Sequence, residues 1–407
     1  MTASAARRAS RAPACAPAAA PAPAPASDPA LAPAPAPAFA LARPLWRAAL
    51  TVAAAFGLAW AAPPARAGLG LTELPARGDD GPVTLFYPTD APDQPWDLKR
   101  LRLGVARDAA PAPGNGRLVV VSHGSGGSPW VHGDLARALV GAGYTVAVPR
   151  HAGDNFVDDR TPGPESWDRR PAEASRAIDA VAADARFGAR LQTGRVGVFG
   201  MSAGGHTALT LAGGEWSPAL FAQHCERHLP DDFNACVGLA TGLTGGAFDG
   251  TKLWLARTIL GATFGSDTRL RRHADPRVAA VVAAVPHAAS FRMESLAAPK
   301  APLAVATASG DEWLHPRFHS DAVLAACLPC ERIAAPASAG HGAYLSPLPT
   351  GFSGLEGRLL NDPAGFDRSA MAAVNAGIVR FFDRHLRGGA AASPGTPAAV
   401  TEVATSR

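Results

Sequence analysis

Short apolar runs recur along the chain, and segments with helical periodicity separate them. The runs are RLVVVS (117–122), YTVAVP (144–149), RVGVFG (195–200), VAAVVAAVP (278–286), APLAVATA (301–308) and ERIAAP (331–336). A continuous apolar run of this length is typical of a strand buried on both faces. Buried strands that alternate with helices predict an α/β fold with a mostly parallel central sheet and helices on both faces.

Other segments complete the predicted elements. Two alternating, half-exposed strands precede the buried runs, and the predicted helices lie at about 132–143, from near Pro171, from Ser202 to about Ala212, at 318–326 and at 369–386. The helix near Pro171 is expected to begin there, because the first helical turn tolerates proline. The two alternating strands are PVTLFYP (82–88) and RLRLGVA (100–106).

Residues 214–275 interrupt the alternation of strands and helices. They contain several glycines and no clear buried strand. We interpret them as an insertion over one edge of the sheet, ahead of the last strands, that shapes the substrate pocket. The predicted domain covers residues 68–387, and an Ala/Pro/Ser-rich tail follows at 388–407.

The N-terminal residues do not resemble a folded domain. Residues 1–42 are dominated by an Ala/Pro alternation, which predicts a disordered tail. Residues 43–67 have the pattern of an export signal, because two arginines precede an apolar run and Ala65-Arg66-Ala67 has the small-x-small form of a cleavage site. The run is short for a membrane span, which needs about 20 residues. An uncleaved anchor is the alternative, and the long leading tail favours a translation start further downstream.

The net charge depends on this leader. The full chain has 38 basic and 34 acidic side chains, of which six arginines and one aspartate lie in residues 1–67. The remaining residues therefore carry 32 basic and 33 acidic side chains, a net charge of −1. Such a balance gives no support for nucleic-acid binding.

Four cysteines remain after the leader, and they allow three pairings. An even number fits an exported protein with disulfides, and we favour Cys225 with Cys236 and Cys327 with Cys330. The CLPC sequence at 327–330 leaves a redox dithiol or half of a metal site as alternatives. No second CxxC accompanies it, and we expect no metal and no cofactor.

The stretch GMSAG at 200–204 matches the pattern G-x-S-x-G between a predicted strand and a predicted helix. In this context the two glycines permit a sharp turn that raises the serine hydroxyl above the sheet. A structural serine in a tight turn is the alternative. Ser202 is therefore a candidate nucleophile, which needs a base and a carboxylate.

The candidate acid and base follow Ser202 along the chain. Asp311 comes directly after the run APLAVATA, and open α/β sheets assemble their sites at the carboxyl ends of strands. His341 lies between two glycines in a loop after the next strand. Glu312 and Asp321 are the alternative acids. Position along the chain favours His341 over the other loop histidines, which are His123, His151, His206, His287, His315 and His319.

A developing oxyanion needs hydrogen-bond donors. The backbone N–H of Ala203, one residue after the candidate nucleophile, is expected to supply one. The Gly-rich loop after RLVVVS is expected to supply the other from Ser125. His123 in the same loop is expected to be structural. Trp313 and Tyr344, beside the acid and the base, are candidates for lining the substrate pocket, with ordinary loop packing as the alternative.

Several motifs, in chain order, resemble the α/β-hydrolase superfamily: SHGSGGS, GYTVAVPRHAGDN, GVFGMSAGG, DPRVAAVVAAVP, SGDEWLHP and AGHGAYL. They are most similar to the bacterial branch that groups platelet-activating-factor acetylhydrolase-like and dienelactone-hydrolase-like proteins. The similarity covers roughly residues 81–387 and includes HCERHLPDDFNAC, where members often carry a paired cysteine loop. It implies the α/β-hydrolase fold and a triad of Ser202, Asp311 and His341.

The chain also departs from this branch. Dienelactone hydrolases use a cysteine nucleophile where this chain has Ser202, which disfavours dienelactone chemistry. No apolar lipid-docking helix is recognisable, which disfavours a phospholipid substrate. The sequence therefore predicts an exported serine hydrolase that cleaves small-molecule carboxylic esters. A serine peptidase or amidase on the same fold, and a non-catalytic binding protein, are the alternatives.

Overall fold

The computed structural model describes residues 68–388 of the chain. The predicted tail over residues 1–42, the predicted export signal over 43–67 and the predicted C-terminal tail, apart from Gly388, lie outside the described residues. Within the described part of the chain, no helix is long and apolar enough to cross a membrane. Every predicted site residue lies among the described residues.

A single large sheet organises this part of the chain. Its strands are β1 (Gly68–Leu74), β2 (Val83–Thr89), β3 (Gln94–Leu98), β4 (Leu101–Arg107), β5 (Leu118–Ser122), β6 (Thr145–Pro149), β7 (Val196–Met201), β9 (Val278–Ala284), β11 (Leu303–Ala306) and β12 (Glu331–Ala334). Two short strands, β8 (Glu215–Trp216) and β10 (Phe291–Arg292), pair with each other outside it. The order across the large sheet is β12-β11-β9-β7-β5-β6-β2-β1-β4-β3.

The six strands from β12 to β6 in this order run parallel. The residues of β5, β6, β7 and β11 are all buried, as their continuous apolar sequences predict. Antiparallel pairing begins where β2 joins β6, and β1 then pairs with β2. The predicted mostly parallel sheet is confirmed, and its parallel part brings the carboxyl ends of β5, β7, β9 and β11 to one edge.

Helices cover both faces of the sheet. They are α1 (Gly133–Gly141), α2 (Pro164–Ala183), α3 (Ala203–Leu211), α4 (Pro218–His228), α5 (Phe233–Val237), α6 (Asp249–Phe264), α7 (Ser320–Ala326), α8 (Gly354–Leu360) and α9 (Ala370–Phe382). The apolar side chains of α1 and α9 form one core with the sheet. Those of α2 and α3 form a second core on the opposite face, and the insertion contributes to it.

Strands β1 and β3 were not expected from the sequence. The two glycines of β1 weaken the signal by which a strand is recognised in the sequence. In the structure, the ring of Tyr87 occupies the space that a Cβ at Gly70 would need. The glycine therefore admits a large aromatic side chain into the core. β3 contains Pro95 and lies at the edge of the sheet, where the missing N–H of proline is tolerated.

The prediction that a helix begins near Pro171 is wrong. Helix α2 begins at Pro164, which occupies the first turn, and Pro171 lies inside the helix. The preference of proline for the first helical turn applies to Pro164 as well as to Pro171, so it does not show which of them begins the helix. The two turns before Pro171 bury Trp167 and Arg170, and this packing holds the helix across the missing N–H of Pro171.

The insertion is mainly helical, with α4, α5 and α6 between β8 and residue 275. Trp216, Phe221 and Leu260 join the core that also contains α2 and α3. A disulfide between Cys225 and Cys236 ties α4 to α5, with a Cα–Cα distance of 5.7 Å. The second disulfide, Cys327–Cys330, closes the turn between α7 and β12, with a Cα–Cα distance of 5.3 Å.

Helix α6 carries large exposed apolar side chains, which were not predicted from the sequence. Trp254, Leu255 and Ile259 lie on one face of α6 and are 66%, 47% and 53% exposed. Leu260 on the opposite face is buried in the core shared with α2 and α3, beside the partly buried Leu253. The helix is thus apolar on both faces, so it lacks the one-sided period by which a surface helix is recognised in a sequence.

Candidate active site

Ser202 lies in a sharp turn between β7 and α3. Its backbone has φ of 60° and ψ of −118°, a conformation that residues other than glycine rarely adopt. The Ser202 N–H donates to the carbonyl of Ala284 at the end of β9, and the Ser202 carbonyl accepts from His206 in α3 and from His287. These bonds hold a strained residue at the carboxyl edge of the sheet, as is common at functional sites.

The glycines around Ser202 are required sterically. A Cβ at Gly200 would collide with the carbonyl oxygen of Gly204, and a Cβ at Gly204 would collide with the carbonyl oxygen of Ser122. The first glycine therefore allows the chain to fold back on itself. The second allows α3 to begin directly against β5.

His341 reaches Ser202 from a short 3₁₀ helix, His341–Tyr344, that follows β12. Its Nε2 lies 3.0 Å from Ser202 Oγ, and its Nδ1 lies 2.8 Å from Asp311 Oδ2. When Nδ1–H is donated to the carboxylate, Nε2 accepts the Ser202 hydroxyl proton in a hydrogen bond. Among the residues that the structure describes, His341 is the histidine within hydrogen-bond distance of this hydroxyl.

Asp311 is buried in the loop after β11. Its Oδ1 accepts the backbone N–H groups of Trp313 and Leu314, each at 2.8 Å, which leaves Oδ2 directed at His341. The alternative acids lie elsewhere: the side chain of Glu312 is exposed, and Asp321 pairs with Arg332 at 3.0 Å. Asp311 is therefore the carboxylate that contacts the histidine.

The two residues predicted to supply oxyanion donors, Ala203 and Ser125, belong to the start of α3 and to the loop after β5. Ala203 is the first residue of α3, where N–H groups have no acceptor within the helix. The loop after β5 runs directly beside the serine, since a Cβ at Gly124 would lie 3.5 Å from Ser202 Cβ. The hydroxyl of Ser125, the next residue in that loop, donates to Asp154 Oδ1 at 2.6 Å, so its side chain is held by Asp154.

The two predicted pocket residues are buried. The backbone N–H of Trp313 supports Asp311, and its side chain is 7% exposed. The hydroxyl of Tyr344 donates to the carbonyl of Thr307 at 2.8 Å, and burial raises its pKa well above the ordinary value. This phenol is engaged with the core, and a substrate-lining role for either residue stays a prediction.

An aromatic cluster of Trp167, Phe221 and His287 joins α2 to the insertion. Trp167 lies 4.3 Å from His287 and 5.5 Å from Phe221, measured between ring centroids. The pKa of His287 is well below its ordinary value, first because of burial and then because of nearby histidines. Since Phe221 belongs to the insertion and His287 donates its backbone N–H to Ser202, the insertion contacts the surroundings of the serine.

Sequence reasoning missed two charged residues beneath the Gly-rich loop, Asp154 and Arg170. Both side chains are fully buried, and they form an ion pair at 2.8 Å. Asp154 follows β6, so the rule that sites gather at the carboxyl ends of strands could have identified it. Arg170 lies on the buried face of α2, where a charged residue gives no recognisable signal. In the described residues, no group of three or more ligand side chains is arranged for a metal ion.

Comparisons with known proteins support the fold. No protein-family model matches the chain, and no match is found among curated proteins. A solved structure of a ferulic acid esterase from Streptomyces cinnamoneus is similar, with a TM-score of 0.51 and 20% sequence identity. The similarity covers 81% of this chain and 93% of the esterase chain. The chain therefore has the α/β-hydrolase fold, with a mostly parallel sheet between two layers of helices.

Proposed function

We propose that this protein is a serine hydrolase that cleaves small-molecule carboxylic esters through an acyl-enzyme. The observation that carries the proposal is the series of contacts from Ser202 Oγ to His341 Nε2, at 3.0 Å, and from His341 Nδ1 to Asp311 Oδ2, at 2.8 Å. A weak nucleophile is thereby paired with a base, and the base is oriented by a carboxylate. Neither the formation nor the hydrolysis of the proposed acyl-enzyme needs a metal or a cofactor.

In the first half of the reaction, His341 takes the Ser202 proton while Oγ attacks the ester carbonyl carbon. The N–H groups of Ser125 and Ala203 stabilise the oxyanion of the tetrahedral intermediate. The intermediate collapses as the bond to the alkoxy oxygen breaks and His341 returns the proton to the leaving alcohol. In the second half, His341 activates water, which releases the acid and regenerates Ser202.

The strained backbone of Ser202 supports catalysis over a binding role. Its positive φ costs free energy that a scaffold protein has no chemical need to retain. Amide cleavage by the same triad is the second candidate. The sequence shows no acidic cluster for binding a substrate amine, so we rank ester cleavage first.

We further propose that the protein is exported, to the periplasm or the medium. The support is the predicted signal at residues 43–67 together with the two disulfides, which persist in oxidising compartments. The order of motifs also supports membership in the platelet-activating-factor acetylhydrolase-like and dienelactone-hydrolase-like branch, with serine as the nucleophile.

A substrate panel tests the proposed function. Wild type and S202A are assayed on p-nitrophenyl esters of graded acyl length, on an oxidised phospholipid and on p-nitroanilide peptides. Ester hydrolysis by wild type, lost in S202A, is the expected result. Hydrolysis of the peptides but not of the esters would favour the amidase, and no hydrolysis of any substrate would contradict an enzymatic function.

A further inference from the structure

Arg170 is a buried cation directed at the backbone of the Gly-rich loop. Its Nη1 donates to the carbonyl of His123 at 2.5 Å, and its Nη2 donates to the carbonyl of Gly124 at 3.4 Å. The side chain is fully buried, so these bonds face no competition from solvent. A rigid guanidinium therefore contacts two successive carbonyls of the loop that runs beside Ser202.

Asp154 binds the next two residues of the same loop. Its Oδ1 accepts the Ser125 hydroxyl at 2.6 Å and the Gly126 N–H at 2.9 Å, and its Oδ2 accepts Arg170 Nη2 and Ser166 Oγ, each at 2.8 Å. Burial would raise the pKa of this carboxyl, but Arg170 and the hydrogen bonds lower it to about 2. Asp154 is thus a charged partner that joins Arg170 to the loop.

The orientation of one peptide group links this pair to the chemistry. The carbonyl of Gly124 and the N–H of Ser125 belong to the same planar trans peptide, so they point in opposite directions. Three groups contact that carbonyl: His123 Nδ1 at 2.8 Å, the N–H of Gly127 at 3.1 Å and Arg170 Nη2 at 3.4 Å. With the carbonyl held on the side of α2, the Ser125 N–H is turned away from α2.

We propose that Asp154 and Arg170 are positioning residues that orient the Ser125 N–H as an oxyanion donor. The inference deepens the proposed function and rests on it. Stability alone is a weak reason to keep such a pair, because replacing a buried ion pair by apolar side chains is often neutral or stabilising. Orienting a hydrogen-bond donor beside the nucleophile would explain why this buried ion pair is present.

The test uses three variants and a matched control. R170M and D154N each remove one charge, and the double variant D154N/R170M removes both, so that no unpaired charge stays buried. R176M is the control, because Arg176 lies on the same helix and its ion pair with Asp80 is on the surface, away from the loop. Each protein is assayed for kcat and KM on a p-nitrophenyl ester, for Ki of an alkyl trifluoromethyl ketone, and for thermal unfolding.

Loss of one well-placed donor is expected to lower kcat by about 100-fold and to raise the Ki of the ketone, which forms an oxyanion adduct, by a similar factor. KM changes much less, because the donor acts mainly in the transition state. The folded double variant keeps the kcat loss, whereas R176M behaves as wild type. If the pair were purely structural, the variants would alter the unfolding temperature without lowering kcat more than they change KM.

The outcomes are distinguishable. If the double variant is folded and has wild-type kcat and ketone Ki, the positioning role is wrong while the proposed function stands. A defect that disappears after normalisation to the folded fraction also contradicts the role. An inactive wild type contradicts the proposed function, and the inference is then overturned with it.

Discussion

The surroundings of Ser202 and the insertion at 214–275 differ in which side chains they bury and which they expose. Around Ser202, charged side chains are buried and paired, as Asp154 and Arg170 are. On α6 of the insertion, large apolar side chains such as Trp254 are exposed. Burying charges near Ser202 costs desolvation free energy, which the pairing of the charges offsets. On α6, in contrast, apolar surface stays in contact with water.

This difference shows which part of the molecule is constrained by geometry. The residues near Ser202 must meet at fixed distances, and the carboxyl ends of β5, β7 and β11 bring their loops together. The insertion packs on this frame through the core that it shares with α2 and α3, and its disulfide ties α4 to α5 within the insertion. Substitutions of the residues in contact with Ser202 should therefore change rates, whereas substitutions on the exposed face of α6 or at the insertion disulfide should change stability or nothing measurable.

The largest effect is expected from H341A. Without the imidazole, the Ser202 hydroxyl loses its base, and kcat on a p-nitrophenyl ester should fall by about 10⁶-fold. H315A is the matched control, because among the described residues the histidine hydrogen-bonded to the Ser202 hydroxyl is His341 and not His315. Comparable losses in the two variants would contradict the assignment of His341.

The acid provides the next effect. D311N keeps the shape of the side chain but favours the wrong imidazole tautomer, and kcat should fall by about 10⁴-fold. E312Q changes the exposed neighbour and should leave kcat unchanged. Steady-state assays of kcat for the two variants test this assignment. A loss of kcat in E312Q with no loss in D311N would assign the acid role to Glu312.

Removal of the insertion disulfide should alter stability rather than rate. In the C225S/C236S variant, the free energy of unfolding should fall by about 3 kcal/mol, because the bridge spans 11 positions and restrains the unfolded chain. The C327S/C330S variant opens a bridge across only 3 positions and should lose about 2 kcal/mol. Urea titrations measure both, and a loss of kcat per folded molecule that matches D311N would break the contrast between the two regions.

The smallest effect is expected on the exposed face of α6. W254S and I259S remove side chains that are mostly in water, so the free energy of unfolding should change by about 0.5 kcal/mol or less. L260A, from the covered face of the same helix, should cost about 2–4 kcal/mol. Equal losses in thermal or urea unfolding would show that the exposed face is covered in solution.

The fold and part of the candidate site could be predicted from the sequence for a physical reason. Strands buried on both faces must be continuously apolar, and the loops at their carboxyl ends hold the polar residues. Ser202, Asp311 and His341 were selected by this position, and the structure brings their side chains into contact.

Other features had no local signal. Arg170 acts through loop carbonyls that are 46 and 47 positions away in the sequence, so no motif contains it. The start of α2 was predicted too late in the chain, because Pro164 suits a first turn as well as Pro171 does. Helix α6 is apolar on two faces, so the sequence does not show which of them is exposed.

Labelling with a fluorophosphonate tests the central claim, that Ser202 is an activated nucleophile. The folded wild-type protein is incubated with the probe, and intact mass and peptide mapping locate the adduct. We expect one adduct per chain, on Ser202, with no adduct on S202A or on urea-unfolded wild type. A folded wild type that is not labelled, or equal labelling of S202A, would contradict the claim.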